Sequence, residues 1–240
     1  VQKALNERVV VRIELPSDVI GDKVPSQHFK HPLVHSHSSL LPSETELDKA
    51  AELIGEGKRI ALFCGIGCRN AREEVLALAN KLGAPIVHTL RAKDIFDYSD
   101  GNVVGMTGLI GNPAGYHAVW DCDVLLMLGT DFPYDEFIPG GPSIIQVDSR
   151  VDHIGRRAPV TLGLVGTVLE TVQALAPRVQ ATSDAGFLKH LLKLRDKWLD
   201  QMKGQADLSR TDEPLHPQLF ARAISDRASD DAFFAVDVGE

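Results

Sequence analysis

The chain has 240 residues, of which 44% are hydrophobic and 24% charged, a balance that supports a folded core and excludes intrinsic disorder. Its 20 Gly and 13 Pro follow no period, which excludes a collagen-like or low-complexity chain. A formal net charge of -8 without a long Lys/Arg cluster excludes nucleic acid as a main partner.

From the N-terminus, residues 1–8 lack the apolar core of a signal peptide, and a helix end leads into a strand over 9–15 that Pro16-Ser17-Asp18 closes. Residues 21–43 hold four His, three Pro and five Ser, the composition of a linker. Ser43 with Glu46 three residues later is a capping-box pattern and predicts a helix over 44–55. A strand over 59–64, the turn Gly65-Ile66-Gly67, a helix over 71–82 and a strand over 85–90 follow. After a loop comes a glycine-rich stretch over 105–111, then a helix over 114–120 and strands over 124–128 and 143–148. A short strand around 160–165 and a helix over 168–175 close the alternation.

Strands separated by helices predict an α/β, doubly wound domain over 44–177, with an about six-stranded parallel sheet and helices on both faces. Beyond it, Phe187, Leu188, Leu191, Leu192, Leu194, Trp198 and Leu199 mark an amphipathic helix over 184–202. A polar connection leads to a helix over 216–226, and the apolar run over 232–240 predicts a buried strand. A sheet rarely ends on a naked apolar strand, so the chain looks cut at both ends. No apolar run approaches the ~20 residues of a membrane-spanning helix. The odd set Cys64, Cys68 and Cys122 argues against a disulfide framework, so a reducing, cytoplasmic setting is expected.

In an open parallel sheet, ligands bind beyond the carboxyl ends of the strands. Four segments deliver small-residue loops to that edge: Gly65-Ile66-Gly67, the stretch from Gly105 through Thr107 and Gly108 to Gly111, Gly129-Thr130-Asp131, and Asp148-Ser149. Any one glycine is explained by a strand end; together the four describe an extended nucleotide or dinucleotide site. The first loop departs from the GxGxxG fingerprint at Asn70, and no acidic residue ends the next strand, which disfavours NAD binding in the Rossmann manner. Arg91 ends that strand either within reach of a diphosphate or as a solvated surface arginine. Asp148 suits ribose hydroxyls and equally a cap for the turn over 149–152. Phe132-Pro133-Tyr134 lines a flat ring system or packs against the core.

His28, His31, His35 and His37 fall in the linker without a shared face or a partnering carboxylate cluster, so a hydrated linker is expected and no metal site. Cys64 and Cys68 lack a second pair for zinc. With no P-loop lysine, nucleophile elbow or Ser–His–Asp arrangement, the sequence shows a binding site and no catalytic residue.

Six segments together resemble the thiamine-diphosphate-dependent enzymes, and among them the flavin-containing pyruvate oxidases and quinone-dependent pyruvate dehydrogenases most. They are Leu15-Pro16-Ser17-Asp18-Val19, Phe63-Cys64-Gly65-Ile66-Gly67-Cys68, Ala84-Pro85-Ile86-Val87-His88, Val104-Gly105-Met106-Thr107-Gly108-Leu109-Ile110-Gly111, Leu128-Gly129-Thr130-Asp131-Phe132-Pro133-Tyr134 and Ile145-Gln146-Val147-Asp148. The resemblance implies that residues 1–20 end a pyrimidine-binding domain, 21–43 form a linker and 44–177 the central FAD-binding domain. Residues 178–213 are then a helix and connection, and 214–240 the start of a diphosphate-binding domain.

It further implies an FAD lying along the carboxyl edge. Gly65 and Gly67 would admit its backbone, Arg91 would meet its phosphate–ribitol part, and Thr107, Gly108 and Leu109 would hold the flavin side. Gly129, Thr130, Asp131, Phe132 and Pro133 would form the central cradle and Asp148 the adenosine end, with Gly166-Thr167 standing where relatives often have Gly-Asp. Thiamine diphosphate and Mg2+ belong to the full-length enzyme only, because the family's glutamate and Gly-Asp-Gly motif are not in this stretch. The intact enzyme is expected to decarboxylate pyruvate oxidatively, passing electrons to FAD and then to a quinone or oxygen. A homo-oligomer is expected, with peripheral membrane contact through regions outside this chain. Two alternatives stand beside that expectation: an acetolactate-synthase-like carboligase whose FAD is not redox-active, and an inert nucleotide-binding or scaffold domain.

Overall fold

A computed structural model describes residues 1–7, 9–23, 39–181, 185–211 and 213–236. The chain divides into two units, Val1–Ser39 and Leu40–Glu240. The histidine-rich stretch with His28, His31, His35 and His37 lies outside the described residues.

In the first unit, helix α1 (Gln2–Glu7) precedes an irregular segment, and the expected strand over 9–15 does not form. Val10, Ile13 and Leu15 are exposed there. An alternating apolar run becomes a strand only when a partner takes its backbone hydrogen bonds, and among the described residues of this unit there is none.

The second unit is built on six parallel strands: β1 (Ile60–Cys64), β2 (Ile86–His88), β3 (Val103–Met106), β4 (Val124–Leu128), β5 (Ser143–Asp148) and β6 (Leu162–Val165). Their order across the sheet is β3-β2-β1-β4-β5-β6. Strand β4, Val-Leu-Leu-Met-Leu, is buried throughout, as a strand covered on both faces must be. Its residues alternate between two cores. Val124, Leu126 and Leu128 meet α2 (Glu44–Glu56), α3 (Arg72–Leu82) and α5 (Val168–Leu175) on one face. Leu125 and Met127 meet α4 (Pro113–Trp120) and α6 (Ala185–Gln205) on the other. The sheet is therefore doubly wound, as expected from the sequence.

Two elements of this unit differ from expectation. Strand β3 falls where only a glycine-rich loop was expected: its Gly105 sits at φ 122°, and the β2–β3 register shifts between Ile86 and Val87. The apolar run after helix α7 (Pro217–Ser225) forms no strand over 232–236, and Phe233, Phe234 and Val236 are exposed. That run has no strand to pair with among the described residues, and Asp237, Val238, Gly239 and Glu240 lie outside them.

Ser43 caps α2 as its sequence pattern requires. Its hydroxyl accepts the Glu46 amide, and the Glu46 carboxylate accepts the Ser43 amide at 2.8 Å and the hydroxyl at 2.7 Å. Ser43→Ala is expected to cost about 1 kcal/mol, read from the denaturant midpoint. The Ser43 hydroxyl, then its amide, hold the Glu46 carboxyl below the usual range. That contribution is present above the ordinary glutamate pKa and is lost as pH falls through the lowered one. The gap between Ser43→Ala and the unsubstituted chain should therefore narrow in acid.

Candidate functional site at the carboxyl edge of the sheet

Because all six strands are parallel, their carboxyl ends share one edge, and five inter-strand steps make it about 24 Å long. The loops after β1 and β4 meet at its centre, where the strand order reverses. Gly65 N–H donates to Leu128 O at 2.8 Å, Gly67 N–H to Gly129 O at 3.0 Å, and Gly129 N–H to Val147 O at 2.8 Å. A Cβ on Gly65 would lie 2.6 Å from Thr130 Cα, and one on Gly67 would lie 2.7 Å from Gly129 Cα. Gly129 also adopts the left-handed region, at φ 57°. These glycines bring the two loops into backbone contact, and their amides are taken by carbonyls. A ligand at this edge therefore meets a closed floor at the switch point, where these three amides are already engaged.

The β3 loop is the second component. Thr107 is buried, and its Oγ1 has no hydrogen-bond partner among the described residues. Gly108, at φ 101°, approaches Phe132 so closely that a Cβ would lie 2.9 Å from the ring's Cζ. Asn112 shapes this loop: its side-chain amide donates to Val104 O at 3.1 Å, and its oxygen accepts from Gly115 N–H at 2.7 Å, capping α4. Pro113 occupies the first turn of that helix, so Asn112-Pro113 is the local signal that starts it, one residue before the expected bound at 114. Leu109 and Ile110 at the loop tip are exposed.

Phe132 is buried and anchors the third component. Its ring meets Phe63 of β1 edge-on at 5.1 Å and Tyr134 at 5.4 Å, so packing is one role of this residue. Pro133 and Tyr134 beside it are exposed. Asp131 is held by Arg156 at 3.2 Å and Arg157 at 3.1 Å, both from the loop after β5. Asp148 caps its own turn, accepting the Arg150 amide at 2.9 Å, with its second oxygen 3.3 Å from His153 Nδ1. Arg91 is exposed on the turn Leu90–Ala92, which packs against the turn Ile66–Cys68, and has no ion-pair partner among the described residues. At the far end, Thr167 N–H donates to Leu40 O at 2.9 Å, and a Cβ on Gly166 would lie 2.7 Å from Pro42 Cδ.

The structure thus joins Gly65, Gly67, Gly129 and Thr130 in one contact and Gly108 with Phe132 in another. Asp131 and Asp148 are tied to the β5 loop through Arg156, Arg157, Arg150 and His153. No sequence signal marked Arg156 or Arg157, which lie 25 and 26 residues from Asp131.

Cys64 and Cys68 lie beneath the β1 loop, and Cys122 lies at the opposite edge of the sheet, just before β4. All three are buried; Cys68 Sγ donates to Leu128 O at 3.4 Å. Burial and then the neighbouring Cys68 push the Cys64 thiol well above its ordinary value, and burial pushes Cys122 up to about 12. An aromatic disulfide reagent at mildly alkaline pH is expected to leave the native chain unmodified and to label all three cysteines after unfolding. Fast labelling of the native chain would contradict that burial. Among the described residues, no group of three His, Cys, Asp or Glu side chains is placed to hold a metal ion. No helix there is long and apolar enough to cross a membrane.

The family model described as "Thiamine pyrophosphate enzyme, central domain" matches residues 47–175. A putative thiamine pyrophosphate-containing protein, YdaP of Bacillus subtilis, is 31% identical over 100% of this chain and 41% of its own length. A probable acetolactate synthase large subunit of Methanocaldococcus jannaschii is 27% identical over 89% of this chain and 38% of its own length. A pyruvate oxidase of Lactiplantibacillus plantarum is 20% identical over 100% of this chain and 40% of its own length. The chain spans about two-fifths of the length of these curated relatives.

Proposed function

Since the chain belongs to the thiamine pyrophosphate enzymes and carries their central domain, we propose that this domain holds an FAD stretched along the carboxyl edge of its sheet. The longer protein would then be an oxidase or dehydrogenase that decarboxylates pyruvate. One observation supports this reading: a buried hydroxyl without a partner among the described residues, Thr107 Oγ1, lies in the same loop as the Gly108 that packs closely on the Phe132 ring. A buried polar group left unpaired costs about 1–3 kcal/mol, which a ligand accepting or donating there would recover. The residues present fit the flavin end of a dinucleotide in chemistry: a hydroxyl, a glycine with no side chain in the way, an aromatic wall and the apolar Leu109.

Phe132 fixes the height of the Gly129–Tyr134 loop from below, while Pro133 stands exposed on it. The amides of Gly65, Gly67 and Gly129 are engaged, and Arg91 is the guanidinium at this edge without a carboxylate partner among the described residues, which suits it to the diphosphate. Asp148 keeps lone pairs for ribose hydroxyls beside its bond to the Arg150 amide. When bound, the flavin supplies a two-electron acceptor, from which electrons pass to a quinone or oxygen. Thiamine diphosphate, Mg2+ and pyruvate would be held by parts of the enzyme outside this chain.

A second reading, a carboligase resembling acetolactate synthase whose FAD stays oxidised, is favoured by the higher identity to such a synthase, 27% against 20% for the pyruvate oxidase. Pyruvate added anaerobically to the protein with its natural flanks separates the two. Bleaching of the flavin band supports the oxidase reading, and an unchanged band with a carbon–carbon coupled product supports the second. A colourless protein that takes up no FAD overturns both in favour of an inert nucleotide-binding or scaffold domain. The 240-residue chain by itself is expected to retain FAD weakly.

A further inference from the structure

Gln146 is a polar residue inside the apolar run of β5, and it is only 2% exposed. Its register partners are Met127 of β4 and Gly163 of β6. A strand covered on both faces takes an apolar side chain at such a place, and an amide is costly there unless both its ends are bonded. Both ends are bonded, and to one loop. Gln146 Nε2 donates to His153 O at 3.0 Å, and its Oε1 accepts Gly155 N–H at 2.9 Å. Ile154, the residue between them, lies over β6, where a Cβ on Gly163 would collide with its Cγ2. Gly155 itself sits in the left-handed region, at φ 71°. Residues 153–155 are thus seated on two neighbouring positions of the sheet, an amide and a glycine.

What this seated turn carries lies at the carboxyl edge. On one side of it, Asp148 Oδ1 accepts the Arg150 amide at 2.9 Å, and His153 Nδ1 stands 3.3 Å from Asp148 Oδ2. On the other, Arg156 and Arg157 reach Asp131 of the β4 loop at 3.2 and 3.1 Å. One clamp therefore stands behind the partners of both carboxylates, and it bonds to neither of them. Methionine, unbranched and of similar length, would fill the same space without burying an amide. Packing gives no reason for glutamine at this position; the loop does.

We propose that Gln146 is a positioning residue for the adenosine half of a dinucleotide at this edge, acting through the loop over 150–157 that it clamps. The inference rests on the FAD reading above, with Asp148 at the ribose, and assigns to the clamp the selectivity of that end. Binding groups must be held to within roughly 0.5 Å by supporting partners that do not themselves meet the ligand. With the clamp gone, Asp148 and Asp131 lose their fixed partners, and the adenosine half loses affinity. The flavin half keeps its own surroundings at Thr107, Gly108 and Phe132.

The test uses the protein with its natural flanks, stripped of flavin and titrated with FAD and with ADP, which lacks the ribityl flavin. Gln146→Met should raise the dissociation constants of both ligands by a common factor of at least ten. At saturating FAD its visible flavin spectrum should match the parent's. Phe132→Leu should do the reverse, weakening FAD while leaving ADP unchanged. Gly163→Ala displaces Ile154 from the neighbouring strand without altering the amide, and it should repeat the Gln146→Met pattern. It also serves in place of that variant should Gln146→Met fail to fold. A Gln146→Met protein that binds both ligands as the parent does, or loses FAD alone, overturns the positioning role and leaves the FAD reading standing. So does an altered flavin spectrum, which would mean that the amide merely supports the fold, or a parent that binds FAD but no ADP. A parent that takes up no FAD overturns the FAD reading, and this inference with it.

Discussion

Gly65→Ala should destabilise the sheet unit by about 2–3 kcal/mol, the upper part of the usual cost of overpacking a well-filled site. The added methyl group would stand 2.6 Å from Thr130 Cα and closer still to the Gly129 carbonyl. Both neighbours are backbone, and neither is free to retreat: Gly65 N–H is bonded to Leu128 O and Gly129 N–H to Val147 O. Relief therefore means parting the β1 and β4 loops and weakening those bonds. At roughly 2–4 °C per kcal/mol for a protein of this size, the thermal midpoint should fall by about 5–10 °C. Gly141→Ala is the matched control, because a methyl group there meets nothing within 4 Å and the backbone is not left-handed. It should leave the midpoint unchanged or raise it slightly. Equal midpoints for the Gly65 and Gly141 variants would mean that the two loops are not in contact.

Phe132→Ala should cost about 3–4 kcal/mol, the range for deleting a buried phenylalanine. The ring is buried, meets Phe63 and Tyr134 edge-on, and supports Gly108 of the neighbouring loop. Its removal empties the joint between the β3 and β4 loops, the two that would face a flavin. Phe132→Leu should lose less than about 1.5 kcal/mol, since volume is largely kept. In the protein with its natural flanks, however, the leucine variant should still bind FAD at least tenfold more weakly, because a loop held at the wrong height costs a ligand more than it costs the fold. Denaturant titration and flavin fluorescence check the two halves separately. An alanine variant as stable as the parent would remove Phe132 from its place as the pivot.

The fold was largely legible because burial on both faces leaves a plain signature. Val124–Leu128 and Ser143–Asp148 are strands at the expected bounds, and Val168–Leu175 is a helix at its expected bounds, since unbroken apolar runs and an amphipathic stripe admit few other structures. Strand β3 was not legible: four residues with a glycine at φ 122° carry almost no pattern, and only pairing with β2 makes them a strand. The apolar runs over 9–15 and 232–236 misled for the opposite reason, having the pattern without a partner.

At the candidate site, the edge itself follows from strand order, but the work done by its glycines does not. Gly-x-Gly reads the same whether its amides face a phosphate or another loop, and the answer depends on β4 lying beside β1, sixty-odd residues away in the chain. The Asp131 clasp to Arg156 and Arg157 is equally non-local. Asp148 could be read both ways from sequence, and the structure has it capping its own turn with an oxygen lone pair to spare.

The decisive measurement is a crystal structure, at full FAD saturation, of the protein with its natural flanking sequence. A flavin resting near Thr107 and Phe132, with its adenosine reaching Asp148 across the floor made by Gly65, Gly67 and Gly129, is the predicted outcome. Flavin bound elsewhere, or a saturated solution yielding an empty edge, would contradict it.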